Sequence, residues 1–524
     1  MEETEVRQTV KKKRVVKTDS TRKQIRGSSL LLAGKFISVG LHFVTQVLIV
    51  RYLSKSDYGS WAYAMAVIAF FRPFATVGLK RSITRFIPIY HEREQYDKLL
   101  GTMALVVATI LLTGMLIIGM VYVSPELISR LISGDQQPVS LLLILIFLVP
   151  VRATDGMLIG LFACFASPRA IFTRKHLVAP ILKFIVVLSM IHLGSTVVFL
   201  AYGYLLSVAL GVLIYSGVFV RILRKQGLFE HLNLNAMTIP AKEIFAFTIP
   251  LLTSDLVTVI MHSSDAFILG YFHGTTAVAM YRVILPAAHF NKMVMESFAL
   301  LFTPLAARLF AKHDFLGINK LYWQTAIWMG VFTFPIFVLT FSMAKPLTLF
   351  LYGARYEQSW VYLQLLAFAY YFNVALGFNG LTLKVLGKVR YVVIINVLAS
   401  ILNVIGNLLL IPKYGALGAT IATAVSMVVH NILKQAGLRM ASGVSIFNKE
   451  YLSIYLIISI SAFGLFMIQF YRPINIYIAL LLVSAVSLLV LRLCSSKLRI
   501  EETFPELLRL PLINLILRSG SKSR

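Results

Sequence analysis

The sequence predicts an all-α polytopic membrane protein with about 14 transmembrane helices, and three observations carry that expectation. Of its 524 residues, 58% are hydrophobic and 14% charged, against roughly 45–50% and 25% in soluble domains. Mean hydropathy is +0.80, and apolar blocks of about 20 residues, the length that crosses a bilayer as helix, recur from Gly27 to Cys494. Lysine and arginine gather in alternate connections, as they do between membrane helices. An ordinary cytosolic enzyme is excluded, because one aqueous core could not hide this much apolar surface.

Blocks bounded by charge or turn residues place spans at 27–50, 58–79, 99–123, 139–165, 176–193 and 196–220, then at 243–271, 276–303, 321–344, 358–383, 391–411 and 415–435, and last at 451–470 and 473–493. Residues 1–26 read as a retained basic cytoplasmic tail, since no short apolar region with a small-residue cleavage site precedes the first span. The expected organisation is a six-helix lobe at 27–222, a cytoplasmic linker at 223–242, a second six-helix lobe at 243–440, an extra helix pair at 441–493 and a basic cytoplasmic tail at 494–524.

Lysine and arginine on the side of the N-terminal tail, with Lys434 and Arg492 at the adjoining span ends counted in, outnumber those in the opposite loops by 37 to 7. By the positive-inside rule both termini are then cytoplasmic, in the plasma (inner) membrane. Much of the net charge of +28 is therefore topological. A basic run such as Lys11–Arg14 beside a membrane reads as a contact for anionic lipid, not nucleic acid. The longest outer connection, about 124–138, is too short for a catalytic domain. Cys164 and Cys494 sit in or beside apolar blocks, so neither a disulfide framework nor a CxxC metal site is expected.

An internal repeat appears at an offset of about 220 residues. Lys35, Ser38, His42, Gly59, Trp61 and Arg72 align with Asp255, Thr258, His262, Ala279, Tyr281 and Lys292. Downstream, Gly160 meets Gly380, Arg169 nearly meets Arg390, and Gly194 nearly meets Gly415. Six spans separate the copies, so both insert with one orientation as parallel repeats. Two such lobes with a central cavity between them suggest a transporter that opens alternately to each side.

The run Arg51–Gly59 (RYLSKSDYG), followed by Arg85–Pro88 (RFIP), resembles the early signature of Wzx (RfbX)-type polysaccharide-biosynthesis flippases. Asp265–Tyr271 (DAFILGY) and Asn403–Gly418, which contains LIPKYG, are similar to that family's second half. Ala279 departs from it, standing where the family has glycine before Met280-Tyr281. Alanine is nearly as small, which makes this a packing variant. The resemblance implies the multidrug/oligosaccharidyl-lipid/polysaccharide (MOP) exporter fold. It also implies a cargo, a polyprenyl-phosphate- or pyrophosphate-linked oligosaccharide carried from the cytoplasmic to the external leaflet. Membrane lipids and the glycosyltransferases or polymerase of the same pathway are the implied partners, with no cofactor.

Setting aside Glu243, Lys434 and Arg492 at the very ends of spans, six cations fall within them, Lys35, Arg72, Arg152, Lys183, Arg282 and Lys292, beside four acids, Asp155, Asp255, Asp265 and Glu296. Each costs about 2.5–3.5 kcal/mol at mid-bilayer unless it has a partner or a wet cavity. Lys35 with Ser38, His42 and Thr45, and Asp255 with Thr258, His262 and Asp265, each stripe one helical face. Arg282, His289, Lys292 and Glu296 fall close together on the eighth span. These stripes either line a cavity or bond helix to helix. The surplus of cations favours an anionic head group, and Arg72 and Lys292, paired by the repeat, are the best candidates for a phosphate clamp, against ion pairing with Asp255 or Glu296. Lys35 and Arg282 are further candidate cavity cations, and His42, His262 and His289 are candidate proton carriers against a packing role. Arg152 and Asp155 at i, i+3 are expected to pair with each other. Asn396, Asn403 and Asn407 suit sugar hydroxyls and interhelical bonds equally.

No GxxxxGK[ST], HExxH or GxSxG motif is present, so no catalytic or metal-ligating residue is assigned. The alternative on the same fold is an ion-coupled small-molecule exporter of the MATE type, which would be expected to carry surplus acid in its cavity. A membrane glycan polymerase or ligase would need a long outer loop that this chain lacks.

Overall fold

The computed structural model describes residues 31, 33–130, 135–165, 168–228, 237–444 and 448–498. The two predicted basic tails thus lie almost wholly outside the described residues, as does the middle of the linker. Among the described residues all regular structure is helical. They pack as two units that divide between Val259 and Ile260.

The first unit contains α1 (Ala33–Tyr52), α2 (Lys55–Thr76), α3 (Leu79–Glu92), α4 (Tyr96–Val123), α5 (Pro125–Arg130), α6 (Gln136–Leu145), α7 (Leu148–Cys164), α8 (Pro168–Ile171), α9 (Ala179–His192) and α10 (Val197–Lys225). The first part of α11 (Ala241–Arg282) completes it. The RYLSKSDYG run builds the turn into α2. Leu53 is buried and Ser54 is the N-cap, its hydroxyl accepting from Asp57 N at 3.0 Å. Gln137 on α6 donates to the Asp57 carboxylate and ties the two helices. At the far end Val77 (φ 45°) and Gly78 (φ 71°) both turn left-handed and stop the helix. The chain then enters α3, a helix where the charge pattern had suggested a loop. Its Ile83, Phe86, Ile87 and Tyr90 face the core while Lys80, Arg81 and Arg85 stay exposed.

The second unit takes the rest of α11, then α12 (Leu285–His289), a 3₁₀ turn (Phe290–Lys292), α13 (Met293–Ala311), α14 (Phe315–Phe341), α15 (Ala344–Tyr352), α16 (Ser359–Ala375), α17 (Asn379–Val385), α18 (Val389–Ser442), α19 (Leu452–Tyr471) and α20 (Ile476–Leu498). Helix α14 is its axis. Phe334, Phe337 and Val338 join Tyr371 of α16, Ile454, Ile458 and Leu465 of α19, and Val483 and Val490 of α20 in one core. The Phe337 and Tyr371 rings stack at 4.0 Å. The extra helix pair is therefore built into this unit's core.

Twelve helices among the described residues are long and apolar enough to cross a bilayer, thirteen if the bent pair Ala241–Pro250 and Asp255–Arg282 is one span. The 54-residue α18 would be about 80 Å long if straight, against a hydrocarbon core of about 30 Å. It breaks at Gly415 (φ 54°, ψ −130°), between the two spans predicted at 391–411 and 415–435. Fourteen is thus an approximate count. Two features match the 220-residue repeat. Gly194 and Gly415 both have positive φ. The Trp61 ring packs edge-on against Tyr204 at 4.8 Å, and the Tyr281 hydroxyl lies 3.2 Å from Thr423 Oγ1, one contact in each unit at nearly the same offset.

Candidate functional site

In the first unit the intramembrane charges converge from α2, α7 and α9 and from the π-helical turn Phe172–Val178 that precedes α9. That turn inserts an extra residue into the helix and redirects its side chains. Arg174 is swung inward to 2% exposure, and its Nη2 lies 2.9 Å from Asp155 Oδ1. The guanidinium also lies 5.6 Å from the Tyr215 ring centre. Gly211 leaves its space: a Cβ there would stand 2.6 Å from Arg174 Cζ.

This corrects the expected Arg152–Asp155 pair. Asp155 serves Arg174, which the charge pattern had assigned to a cytoplasmic connection. Arg152 Nη2 instead lies 4.0 Å from the Met65 sulfur. Arg152 lies within electrostatic reach of Arg72 and Asp155, and Lys183 within reach of Arg152 and Asp155. The Lys183 ammonium sits 5.5 Å over the Tyr204 ring. His42, exposed on α1, is close enough to Lys183 and Arg152 to feel both charges. Lys35 and Arg72 are exposed on their helices, whereas Ser38 and Thr45 are buried. The α1 stripe is therefore split, with Lys35 and His42 open and the two hydroxyls packed.

Asp255 does not pair with Arg72. Its Oδ1 accepts from Arg81 Nη2 at 2.7 Å, tying α3 to α11. Arg85 of α3 reinforces that seam, 4.3 Å from the Phe247 ring centre, and Tyr90 Oη donates to Glu243 at 3.0 Å.

In the second unit Asp265, 7% exposed, is neutralised by Arg282 Nη2 at 2.7 Å. The same nitrogen donates to the His262 carbonyl at 2.9 Å. Gly274 (φ 70°) provides the break that lets residues 262–265 and 282 face one another. The predicted stripe of Arg282, His289, Lys292 and Glu296 does not run along one helix, because the chain breaks at Val283–Ile284 and tightens to 3₁₀ at Phe290–Lys292. What gathers instead is an aromatic seat. The Lys292 ammonium lies 4.4 Å from the Tyr370 ring centre, and the His289 ring lies 5.0 Å from it. Glu296 is exposed on α13.

The asparagine stripe of α18 divides. Asn407 Nδ2 donates to Ser264 Oγ at 3.3 Å, and Asn403 Nδ2 donates to Ser426 Oγ at 3.3 Å. Both asparagines are buried, so they bond helix to helix. Asn396 Oδ1 instead lies 2.8 Å from His430 Nε2. Lys434, one turn beyond His430, rests its ammonium near Gly380 and feels the charges of Lys384 and Lys292. No group of three or more metal-ligating side chains occurs among the described residues. The arrangement presents partly exposed cations and aromatic rings inside membrane-spanning helices, with the acids Asp155, Asp255 and Asp265 each held by an arginine. Cations and ring faces so placed can attract an anion and stack on a sugar ring.

A model of a family described as polysaccharide biosynthesis protein matches residues 25–300, and the MatE model matches residues 250–409. An uncharacterised membrane protein of Methanocaldococcus jannaschii is 21% identical over 463 residues, 86% of this chain and 90% of that one. The capsular polysaccharide biosynthesis protein CapF of Staphylococcus aureus is 27% identical over 191 residues, 36% of this chain and 48% of its own. Among solved structures, the lipid II flippase MurJ in an inward closed conformation aligns with a TM-score of 0.69 at 18% identity, over 90% of this chain and 99% of that one. An inward-facing multidrug resistance MATE family transporter of the MOP superfamily aligns at 0.64 and 14% identity, over 77% and 94%.

Proposed function

The chain belongs to the polysaccharide biosynthesis protein family, and from that premise we propose that it is a flippase for a polyprenyl-phosphate- or pyrophosphate-linked oligosaccharide. The cargo moves from the cytoplasmic to the external leaflet by alternating access, for assembly of a surface polysaccharide or glycan. The observation that carries the reading is the sign of the intramembrane surface. The carboxylates of Asp155, Asp255 and Asp265 are each taken by an arginine, while Arg72, Arg152 and Lys183 keep the interior of the first unit cationic. Such a surface suits phosphate, which arginine grips bidentately and lysine as a point charge. Arg72 is the proposed phosphate contact of the first unit, where Lys35 supports the positive field, and Lys292 is that of the second, where Arg282 is already paired with Asp265. Tyr370 beside Lys292 offers a ring face for a sugar. The resemblance to CapF, a capsular polysaccharide biosynthesis protein, and the fold shared with a lipid II flippase favour a lipid-linked glycan.

The excess of lysine and arginine on one side of the membrane supports cytoplasmic termini in an inner membrane. Glycosyltransferases or a polymerase of the same pathway are the natural neighbours. The second reading, an ion-coupled small-molecule exporter, is favoured by the MatE match over 250–409. It accords less well with the cation surplus, since cavities for organic cations need acid.

The test is transbilayer movement of a fluorescent polyprenyl-pyrophosphate oligosaccharide in vesicles carrying the purified protein, with Arg72→Ala/Lys292→Ala alongside. Protein-dependent movement, lost in the folded variant, is expected. Normal movement by the variant removes both residues as phosphate contacts, and organic-cation uptake in place of lipid movement transfers the protein to the exporter reading.

A further inference from the structure

The break after α2 is strained. Residues Lys55–Glu92 are apolar enough to form one membrane-spanning element of 38 residues, yet Val77 (φ 45°) and Gly78 (φ 71°) divide it into α2 and α3. Glycine adopts such angles freely; a β-branched residue does not, and residues held there cluster at sites that switch. Gly78 is fixed from outside, since a Cβ there would stand 3.0 Å from the Thr248 carbonyl oxygen of α11. Two hydroxyls flank the break, Ser82 on α3 and Thr248 on α11. Both are fully buried, and neither has a hydrogen-bond partner among the described residues, a cost that this arrangement leaves standing. The internal repeat shows another form of the same element. Its offset of 220 carries Val77 and Gly78 to Ser297 and Phe298, which lie inside α13, an unbroken helix from Met293 to Ala311. Conversely, the second unit's break at Val283–Ile284 corresponds to Tyr63–Ala64, inside the unbroken α2. Each copy is continuous where the other is broken.

We propose that Val77–Gly78 is a hinge, and that α3 swings about it between the bent form, clasped to the start of α11, and a form in which it continues α2 as α13 continues through the matching position. The two sides of α3 are held unequally, which sets the direction of movement. Towards α7 the contact is close and apolar: the Ile83 methyl would lie 3.5 Å from a Cβ at Gly160, and Cys164 Sγ donates to the Ile83 carbonyl at 3.4 Å. Towards α11 it is largely polar and open to water. The Arg81–Asp255 pair is 44% and 37% exposed, a kind of ion pair that holds weakly, and Tyr90 adds one hydrogen bond to Glu243. The α11 side therefore parts first, while Ile83 stays on α7. Straightening removes the left-handed angle at Val77, where valine in a right-handed helix is unstrained, and frees the first turns of α11 from Arg81 and Tyr90. A hinge of this kind serves a transporter whatever its cargo.

The test is a distance measurement on the full chain in nanodiscs. Spin labels are placed at Glu92→Cys, the exposed end of α3, and Ala246→Cys, exposed on α11, in a Cys164→Ser/Cys494→Ala background, and pulsed electron paramagnetic resonance reads the distance between them. Two distances are expected. Val77→Gly fits the left-handed angle and weakens a continuous helix, so it should shift the populations towards the shorter distance by about fivefold. Gly78→Ala strains the bent form and should shift them towards the longer by a similar factor. One distance, the same in all three proteins, overturns the hinge. If Gly78→Ala folds poorly, Val77→Gly alone decides: a raised melting temperature with an unchanged distance distribution means a rigid break and overturns the hinge, and loss of the longer distance supports it. The readout needs no cargo, so it fails separately from the flippase reading. Distances that respond as expected in a protein that moves no lipid-linked glycan keep the hinge and remove that cargo. Glycan movement undiminished in Val77→Gly after the longer distance is lost keeps the cargo and removes the hinge from the transport cycle.

Discussion

Replacing Asp155 by asparagine should destabilise the first unit through Arg174, not through Arg152. Asp155 Oδ1 lies 2.9 Å from Arg174 Nη2, with side-chain exposures of 25% and 2%. The isosteric change removes the negative charge and keeps the shape, so the guanidinium is left buried and charged with no counter-ion. Breaking one side of a buried pair costs about 3–5 kcal/mol; the partial exposure of Asp155 puts the expectation near 3 kcal/mol by the same reasoning. Relaxation is blocked, since Gly211 and the Tyr215 ring hem in the guanidinium. Removing both charges should be far milder, because replacing a buried pair by apolar groups of similar volume is often neutral. The assay is thermal unfolding of purified protein followed by tryptophan fluorescence, on Asp155→Asn, Arg174→Met and the double variant. The double variant is expected to melt well above Asp155→Asn and close to the natural sequence. If Asp155→Asn melts with the natural sequence, or the double variant melts no higher than the single, the pair is not what holds α7 to the π-helical turn.

Two further outcomes are expected. Gly415→Ala forces a side chain into φ 54°, ψ −130° at a cost of about 1–3 kcal/mol, so folded yield in fluorescence-detected size exclusion should fall, whereas Gly464→Ala, with nothing within 4 Å, should not lower it. Asn407→Leu strands Ser264 and Asn403 of their buried partner and should lower stability by about 1–2 kcal/mol, while transport per folded molecule in the vesicle assay stays unchanged.

The fold was legible because a bilayer imposes a coarse rule on sequence. Backbone groups in hydrocarbon must bond internally, so each span is a helix of about 20 residues whose apolar length shows directly. The same rule hid α3. Its apolar face, Ile83, Phe86, Ile87 and Tyr90, alternates with Lys80, Arg81 and Arg85 at helical spacing, and hydropathy averaging reads that mixture as a connection. The broken eighth span was hidden for another reason. Leu285 to Glu296 is apolar enough to be one helix, and only its packing decides that Phe290–Lys292 tightens to 3₁₀. Face arguments carried across that break therefore joined Arg282 to Lys292 on a line the chain does not follow.

The charges were legible as a set and illegible as pairs. Composition gives the excess of cations over acids in the spans, but an acid chooses its partner by geometry. Spacing at i, i+3 favoured Arg152 for Asp155, a contact worth only about 0.2–0.5 kcal/mol on a helix surface. A buried guanidinium on a neighbouring element outbids that, since Arg174 without Asp155 would lie uncompensated in a low-dielectric interior. Likewise Asp265 goes to Arg282 across the Gly274 break. Asp155 thus neutralises the deeply held Arg174, while Arg152 and Lys183 stay partly exposed. The cations that no acid takes rest against rings instead, Lys183 over Tyr204 in the first unit and Lys292 over Tyr370 in the second, because a ring face is the next best partner for an ammonium in a low-dielectric interior.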